Sequence, residues 1–267
     1  MPELPEMENY KRLLMKQVIN KPIKYVTVTR EKTINTDEQS FRKQLLNHFI
    51  VSIERRAKHL IFVLDSGKAL LLHLMLGGSI FYGKEEPERT AQVVLHFDDF
   101  SLYFLGLRLG YLHLHSSEDL EPILGKLGPE PLEPHFKFED FIQVIKGRRT
   151  NLKVTLVDQS VMSGIGNCYS DEICFEAKIL PERKVSSLNE QEQKLLFKAI
   201  HTVLKDAIKY GGYMDTPLYE GDRLTGKYDP KCRVYDREGE PCVNCGNPLV
   251  KAMVSSKKSF YCTHCQH

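Results

Sequence analysis

The sequence predicts an α+β chain in two domains: a β-rich first domain that opens with a helix, then a helical domain ending in a small metal-binding hairpin. Three observations carry this. Short apolar or alternating runs separated by turn residues fill the stretch from Ile23 to about His115. The Gly/Pro-punctuated segment Lys126-Leu127-Gly128-Pro129-Glu130-Pro131-Leu132 follows, and beyond it apolar residues recur at helical spacing. Two Cys-x2-Cys pairs close the chain. The expected boundaries are a first domain over 1–118, a linker over 119–134, a helical domain over 135–232 and a zinc module over 233–267.

Glu3 to Ile19 carries apolar residues at Leu4, Met7, Leu13, Leu14 and Val18, which predicts an amphipathic helix. Strands are predicted at 25–29, 50–53, 60–64, 69–72, 92–97 and 101–104, and so many short strands imply a sandwich or a barrel. A helix over 37–47, with Thr36 as its N-cap, interrupts them. Helices follow over 138–146, 151–158, 167–177 and 190–210. Glycines, aspartates and tyrosines over 213–231 predict a loop with the potential of a lid.

A chain of 267 residues with 42% hydrophobic content can bury two cores. No apolar run approaches the roughly 18 residues of a membrane span, and no signal peptide opens the chain. The expectation is therefore a cytoplasmic protein with no membrane partner. A net charge of +2 neither demands nor excludes nucleic acid.

Cys242 and Cys245 are separated by sixteen residues from Cys262 and Cys265. Four thiolates in two knuckles suit one tetrahedral Zn²⁺, with no open position for catalysis. Lys251, Lys257 and Lys258 lie on the intervening hairpin and read either as a solvated face or as a phosphate contact. The N-terminus, Met1-Pro2-Glu3-Leu4-Pro5-Glu6, also has two readings. It is a helix start with Pro5 in the first turn. Alternatively, loss of Met1 leaves Pro2 as a secondary amine of low pKa, flanked by Glu3 and Glu6 as proton carriers. Ser163-Gly164-Ile165-Gly166-Asn167 is a glycine turn between helices, with Asn167 able to cap the second and its free N–H groups able to hold an anion.

The N-terminal hexapeptide together with the terminal cysteine cluster resembles the formamidopyrimidine-DNA glycosylase / endonuclease VIII family. The likeness extends through Lys58, His73, the 163–167 turn, Tyr169-x-Asp171-Glu172 and Val234-Tyr235-x-Arg237-x-Gly239-x-Pro241-Cys242. It implies an N-terminal β-sandwich, a helix-two-turn-helix domain and a zinc finger, with damaged DNA in a cleft and a monomeric enzyme. It implies that Pro2 attacks C1′ of a flipped nucleotide, Glu3 acts as acid/base, Glu6 positions the terminus or a water, and Lys58 stands beside the sugar. Backbone contacts would come from His73, Asn167, Tyr235 and Lys257.

The departures lie where such enzymes read the lesion. Leu76, Leu107 and Leu109 occupy positions where the family often carries methionine, arginine and phenylalanine wedges, with Arg108 as a possible substitute arginine. Leucines offer no hydrogen bond to an orphaned base, so weak dependence on the opposite base is expected. The rival reading is a protein that binds abasic or distorted DNA without excising a base.

Overall fold

The computed structural model describes residues 1–267, which cluster into two compact units. The first comprises 1–125 with 210–227, and the second comprises 126–209 with 228–267. These boundaries differ from the expected ones. The segment 210–227, expected in the helical domain, belongs to the first unit, where backbone and side-chain hydrogen bonds tie it. Tyr82 N–H donates to Leu218 O (2.6 Å), Tyr10 Oη to Thr216 O (3.0 Å) and Asn9 Nδ2 to Thr225 Oγ1 (2.8 Å). Leu218 is fully buried in the first unit's core.

The first unit opens with α1 (Leu4–Val18). Eight strands follow: β1 (Tyr25–Val28), β2 (Ile50–Arg56), β3 (His59–Leu64), β4 (Lys68–His73), β5 (Ser79–Gly83), β6 (Ala91–His96), β7 (Ser101–Leu105) and β8 (Tyr111–Ser116). They form two antiparallel four-stranded sheets, ordered β1-β6-β7-β5 and β2-β3-β4-β8. This is the sandwich, and alternation builds it. Leu60, Phe62, Leu70, Leu72, Leu112 and Leu114 from one sheet share a core with Val93, Leu95, Leu102 and Phe104 from the other. Phe62 and Phe104 meet edge to face with centroids 6.1 Å apart. Met7, Leu14 and Val18 of α1 complete that core.

Helix α2 (Glu38–Leu45) is capped by Asp37, not Thr36. The Asp37 carboxylate accepts from Ser40 N–H at 2.8 Å, the stronger acceptor displacing a neighbouring hydroxyl from the role. Helix α3 (Ser117–Leu124), unforeseen in the sequence, covers Ile61, Ala69 and Leu71 on the outer face of the second sheet.

The second unit holds α4 (Phe138–Ile145), α5 (Leu152–Val157), α6 (Asn167–Ala177) and α7 (Glu190–Lys209), then the hairpin β9 (Val250–Val254) and β10 (Lys257–Tyr261). The hairpin does not stand apart: Phe175 of α6 packs with Val234, Leu249 and Phe260. A buried ion pair joins the same elements. Lys153 Nζ of α5 lies 2.7 Å from Asp171 Oδ1 of α6, and Asp171 also accepts from Ser259 Oγ and from Phe260 N–H of β10. Burial pushes the Asp171 carboxyl up to about 6, with Lys153 opposing. No helix is long and apolar enough to cross a membrane.

Candidate active site

Pro2, Glu3 and Glu6 are all buried at the start of α1. Glu6 is committed at both oxygens. Oε2 accepts from Glu3 N–H and Oε1 from Tyr213 N–H, each at 2.8 Å. The backbone makes room for this at Gly212, where φ is +78° and a Cβ would lie 2.1 Å from Glu6 Oε1. Glu6 therefore fixes the N-terminus against the 210–227 segment, and the Glu3 side chain closes the reciprocal capping box at the start of α1. While Met1 is attached, Pro2 N is an amide; the amine exists only after its removal.

Helix α1 packs on β2 and β3, and Arg55 Nε donates to Glu8 Oε2 across that contact at 2.9 Å. The two strands are joined by a two-residue turn, Ala57-Lys58, between the paired Arg56 and His59. Ala57 holds a left-handed φ of 54°, which costs an L-residue about 1–2 kcal/mol. This strained turn buries Lys58 to 5% exposure. Beside it, side chains on one face of β3, β4 and β8 form a ladder. His59 and His73 rings lie 4.2 Å apart, and Tyr111 stacks on His113 at 4.2 Å. Burial pushes His73 down to about 3, helped by His59 and the Lys58 charge. Burial likewise pushes His59 and His113 down to about 4. His73 is thus a neutral imidazole at pH 7, a hydrogen-bonding group and not a cation.

The three leucines of the reading loops part company. Leu76 and Leu109 are 68% and 65% exposed, and Arg108 is exposed between its leucine neighbours. Leu107 is 1% exposed and belongs to the sandwich core, its N–H bound to Gln92 Oε1 at 2.8 Å. In this structure the residue expected as a wedge packs in the core. Arginine at this position would bury a charge; leucine is drawn inward by the apolar interior.

In the second unit, Gly166 is the N-cap of α6 and Asn167 the first helical residue, which corrects the expected cap. Asn167 O takes the Lys153 ammonium at 2.8 Å, while its side chain is exposed. Glu172 gathers the N–H groups of Arg233, Val234 and Tyr235 at 2.9–3.0 Å, which sets Tyr235 against Phe260. Lys257 follows the turn Ser255-Ser256, whose left-handed φ values (46° and 64°) suit a tight two-residue hairpin. Asn151 Nδ2 ties that tip to the start of α5 at 3.0 Å. Lys251 is paired with Glu238 at 2.8 Å, whereas Lys257 forms no ion pair.

Cys242, Cys245, Cys262 and Cys265 bring four sulfurs within 4.8 Å of one another. The Cys242–Cys265 and Cys245–Cys262 distances are 3.8 and 3.5 Å, too long for disulfides. They fit the edge of a ZnS₄ tetrahedron, about 3.8 Å for Zn–S bonds of about 2.3 Å. The residues fit one structural Zn²⁺. Cys168, Cys174 and Cys232 are buried elsewhere.

An N-terminal amine candidate on a sandwich, a helical unit and a zinc hairpin define a DNA glycosylase class, and the comparisons name it. Residues 1–111 match the Formamidopyrimidine-DNA glycosylase N-terminal domain, 127–216 its H2TH domain and 239–267 the zinc finger found in FPG and IleRS. Formamidopyrimidine-DNA glycosylase of Listeria innocua is 36% identical over the whole of both chains, and that of Ligilactobacillus salivarius is 36% identical over 100% of this chain and 99% of the relative. Lactococcus lactis Fpg in complex with abasic-site DNA superimposes with TM-score 0.93 at 30% identity, covering 99% of each chain. Thermus thermophilus MutM (FPG) gives 0.88 at 32%, covering 99% of this chain and 98% of that one. The chain belongs to the formamidopyrimidine-DNA glycosylase family.

Proposed function

We propose that this chain is a DNA repair glycosylase with abasic-site lyase activity that works through Pro2. Once Met1 is removed, the Pro2 amine attacks C1′ of the damaged nucleotide, the C1′–base bond breaks with its electron pair leaving on the base, and the proton lost from the Pro2 nitrogen neutralises the departing base. Glu3 delivers a proton at the sugar as C1′–O4′ opens, and C1′=N⁺ results. That iminium acidifies C2′–H; loss of this proton expels the 3′ phosphate and nicks the strand. Lys58 neutralises charge beside the sugar. His73, Asn167, Tyr235 and Lys257 grip backbone and not base edges. The hairpin Zn²⁺ holds the shape that presents Lys257. The enzyme acts as a monomer on DNA in the cytoplasm.

The observation that carries this reading is the buried Pro2-Glu3-Glu6 terminus, fixed by the Glu6 hydrogen bonds on a helix that packs against β2 and β3, whose connecting turn buries Lys58. It argues against a binder that does no chemistry, because phosphate contacts do not require a buried lysine on a strained turn. Ring-opened purines, ring-damaged pyrimidines and already unstacked nucleotides are the expected substrates, since less unstacking has to be offset. Borohydride trapping on an abasic oligonucleotide tests the chemistry. Pro2 should carry the cross-link; mapping to a lysine, with Pro2 variants cleaving normally, refutes it.

A further inference from the structure

Three segments of the first unit converge at one end of a sheet. Leu105 of the central strand β7 pairs with Ser79 on one side and Ala91 on the other. The Leu76 loop enters at Ser79, the Leu109 loop leaves from Leu105, and Arg89 lies two residues before Ala91. The two loops touch: a Cβ on Gly106 would lie 2.2 Å from Gly77 O. The same Cβ would lie 1.9 Å from Arg89 Nη2, and one on Gly77 would lie 3.9 Å from it. Gly106 has φ +65°, so this close approach requires glycine. The Arg89 guanidinium is therefore seated on both wedge-bearing loops. It forms no hydrogen bond or ion pair with the protein. Gln92, from the same segment, also holds Leu107 N–H.

We propose that Arg89 is the donor that reads the base left unpaired when the damaged nucleotide is flipped, with Leu76 and Leu109 filling the hole beside it. This rests on the glycosylase reading above. A guanidinium only donates, and does so through a planar fork. Among the four pairing edges, only cytosine presents two adjacent acceptors, N3 and O2. Adenine offers one acceptor beside a donor, while thymine and guanine interpose an N–H. Arg89 thus favours cytosine opposite the lesion, and this revises the weak opposite-base dependence expected from leucines alone. Arg108, exposed on the same loop, is the rival.

The test uses full-length, zinc-loaded protein on an abasic site placed opposite each of the four bases, and in a single strand. Wild type should cleave the duplex with cytosine about tenfold faster than that with adenine, the discrimination one bidentate contact supplies. Arg89→Ala should collapse the ranking to within about twofold, and Arg89→Lys should restore little of it because the fork is lost. Single-strand cleavage should be unchanged, since no partner base is present. The proposal is overturned if wild type cleaves all four duplexes equally, if Arg89→Ala slows all four in proportion as a phosphate contact would, or if Arg108→Ala collapses the ranking while Arg89→Ala does not. Wild type unable to cleave any abasic substrate overturns the glycosylase reading itself.

Discussion

The N-terminus and the reading loops sit on one sandwich and are built on opposite terms. At the N-terminus Pro2, Glu3 and Glu6 are buried, and Glu6 spends both oxygens on backbone N–H groups. At the loops the leading side chains, Leu76 and Leu109, are two-thirds exposed and apolar. Bond-making demands fixed geometry, because a misplaced nucleophile loses its effective concentration. Filling a hole in a base stack demands only a surface of the right size. On the proposed reading, the chemistry is over-determined by the fold, whereas lesion reading rests on a few exposed atoms. Substitutions should separate the two.

The largest effect is expected at Glu3. Glu3→Gln keeps the shape and removes the proton, so base excision should fall about a hundredfold or more. Cleavage of a preformed abasic site should fall less, because no base has to leave. Equal losses on both substrates, measured in single turnover, would place Glu3 in the elimination step alone.

Zinc removal should come next, and it strikes the second unit. Cys262→Ser or a chelator should weaken DNA binding severely while the sandwich melts as before. The hairpin is anchored on α6 through Phe175 and Asp171, so the expected loss falls on the two cysteine knuckles, which the four thiolates would close around the metal. Metal analysis showing no zinc in reduced, DNA-binding protein would refute it.

Leu107 and Leu109 break the comparison at two residues' spacing. Leu107→Ala should cost about 2–5 kcal/mol of stability as a core truncation. Leu109→Ala should change stability by no more than about 0.5 kcal/mol but slow excision from duplex DNA. Chemical denaturation and duplex kinetics on both variants check it; matching profiles would mean the loop turns over on binding.

That pair also shows where the sequence was readable. The hydrophobic runs announced the sandwich, and the cysteine spacing announced the hairpin, because both signals are local. Tyr111-Leu112-His113-Leu114 alternates cleanly, so β8 was open to the same reading, as was Ser79–Gly83 between its glycines. Leu107 was not legible: an apolar residue in a loop reads as a wedge or as core, and only packing decides. The return of 210–227 rests on backbone acceptors such as Thr216 O and Leu218 O, which carry no side-chain signature. Arg89 was invisible for another reason. Its place beside Gly77 and Gly106 comes from strand register, not from spacing along the chain.

The histidine ladder makes a smaller, pH-dependent distinction. His59, His73 and His113 have folded pKa values depressed to about 4, 3 and 4, against an ordinary 6.5. The unfolded chain therefore binds protons first as pH falls. Their contribution to stability is complete above pH 6.5 and is lost through the window down to about pH 3–4. Glu8 and Asp222, held below the ordinary carboxylate range, add their losses only at lower pH. The melting temperature should drop from pH 6.5 downward, and His59→Gln should flatten the drop. An unchanged slope in that variant would sink the assignment.

The smallest effect separates two backbone contacts. Lys257 carries a charge with no ion-pair partner, so the phosphate contact proposed for it would release a counterion. Lys257→Ala should lower the slope of log K against log salt by about 0.9 in duplex DNA. His73 is neutral at pH 7, so His73→Ala should weaken binding with little change in slope. Lys251 already faces Glu238, and its removal should alter the slope less than that of Lys257. Titrations at three salt concentrations decide the matter. A full unit lost at His73 would mean the bound phosphate protonates the imidazole despite its burial, and the ladder would then contribute charge as well as shape.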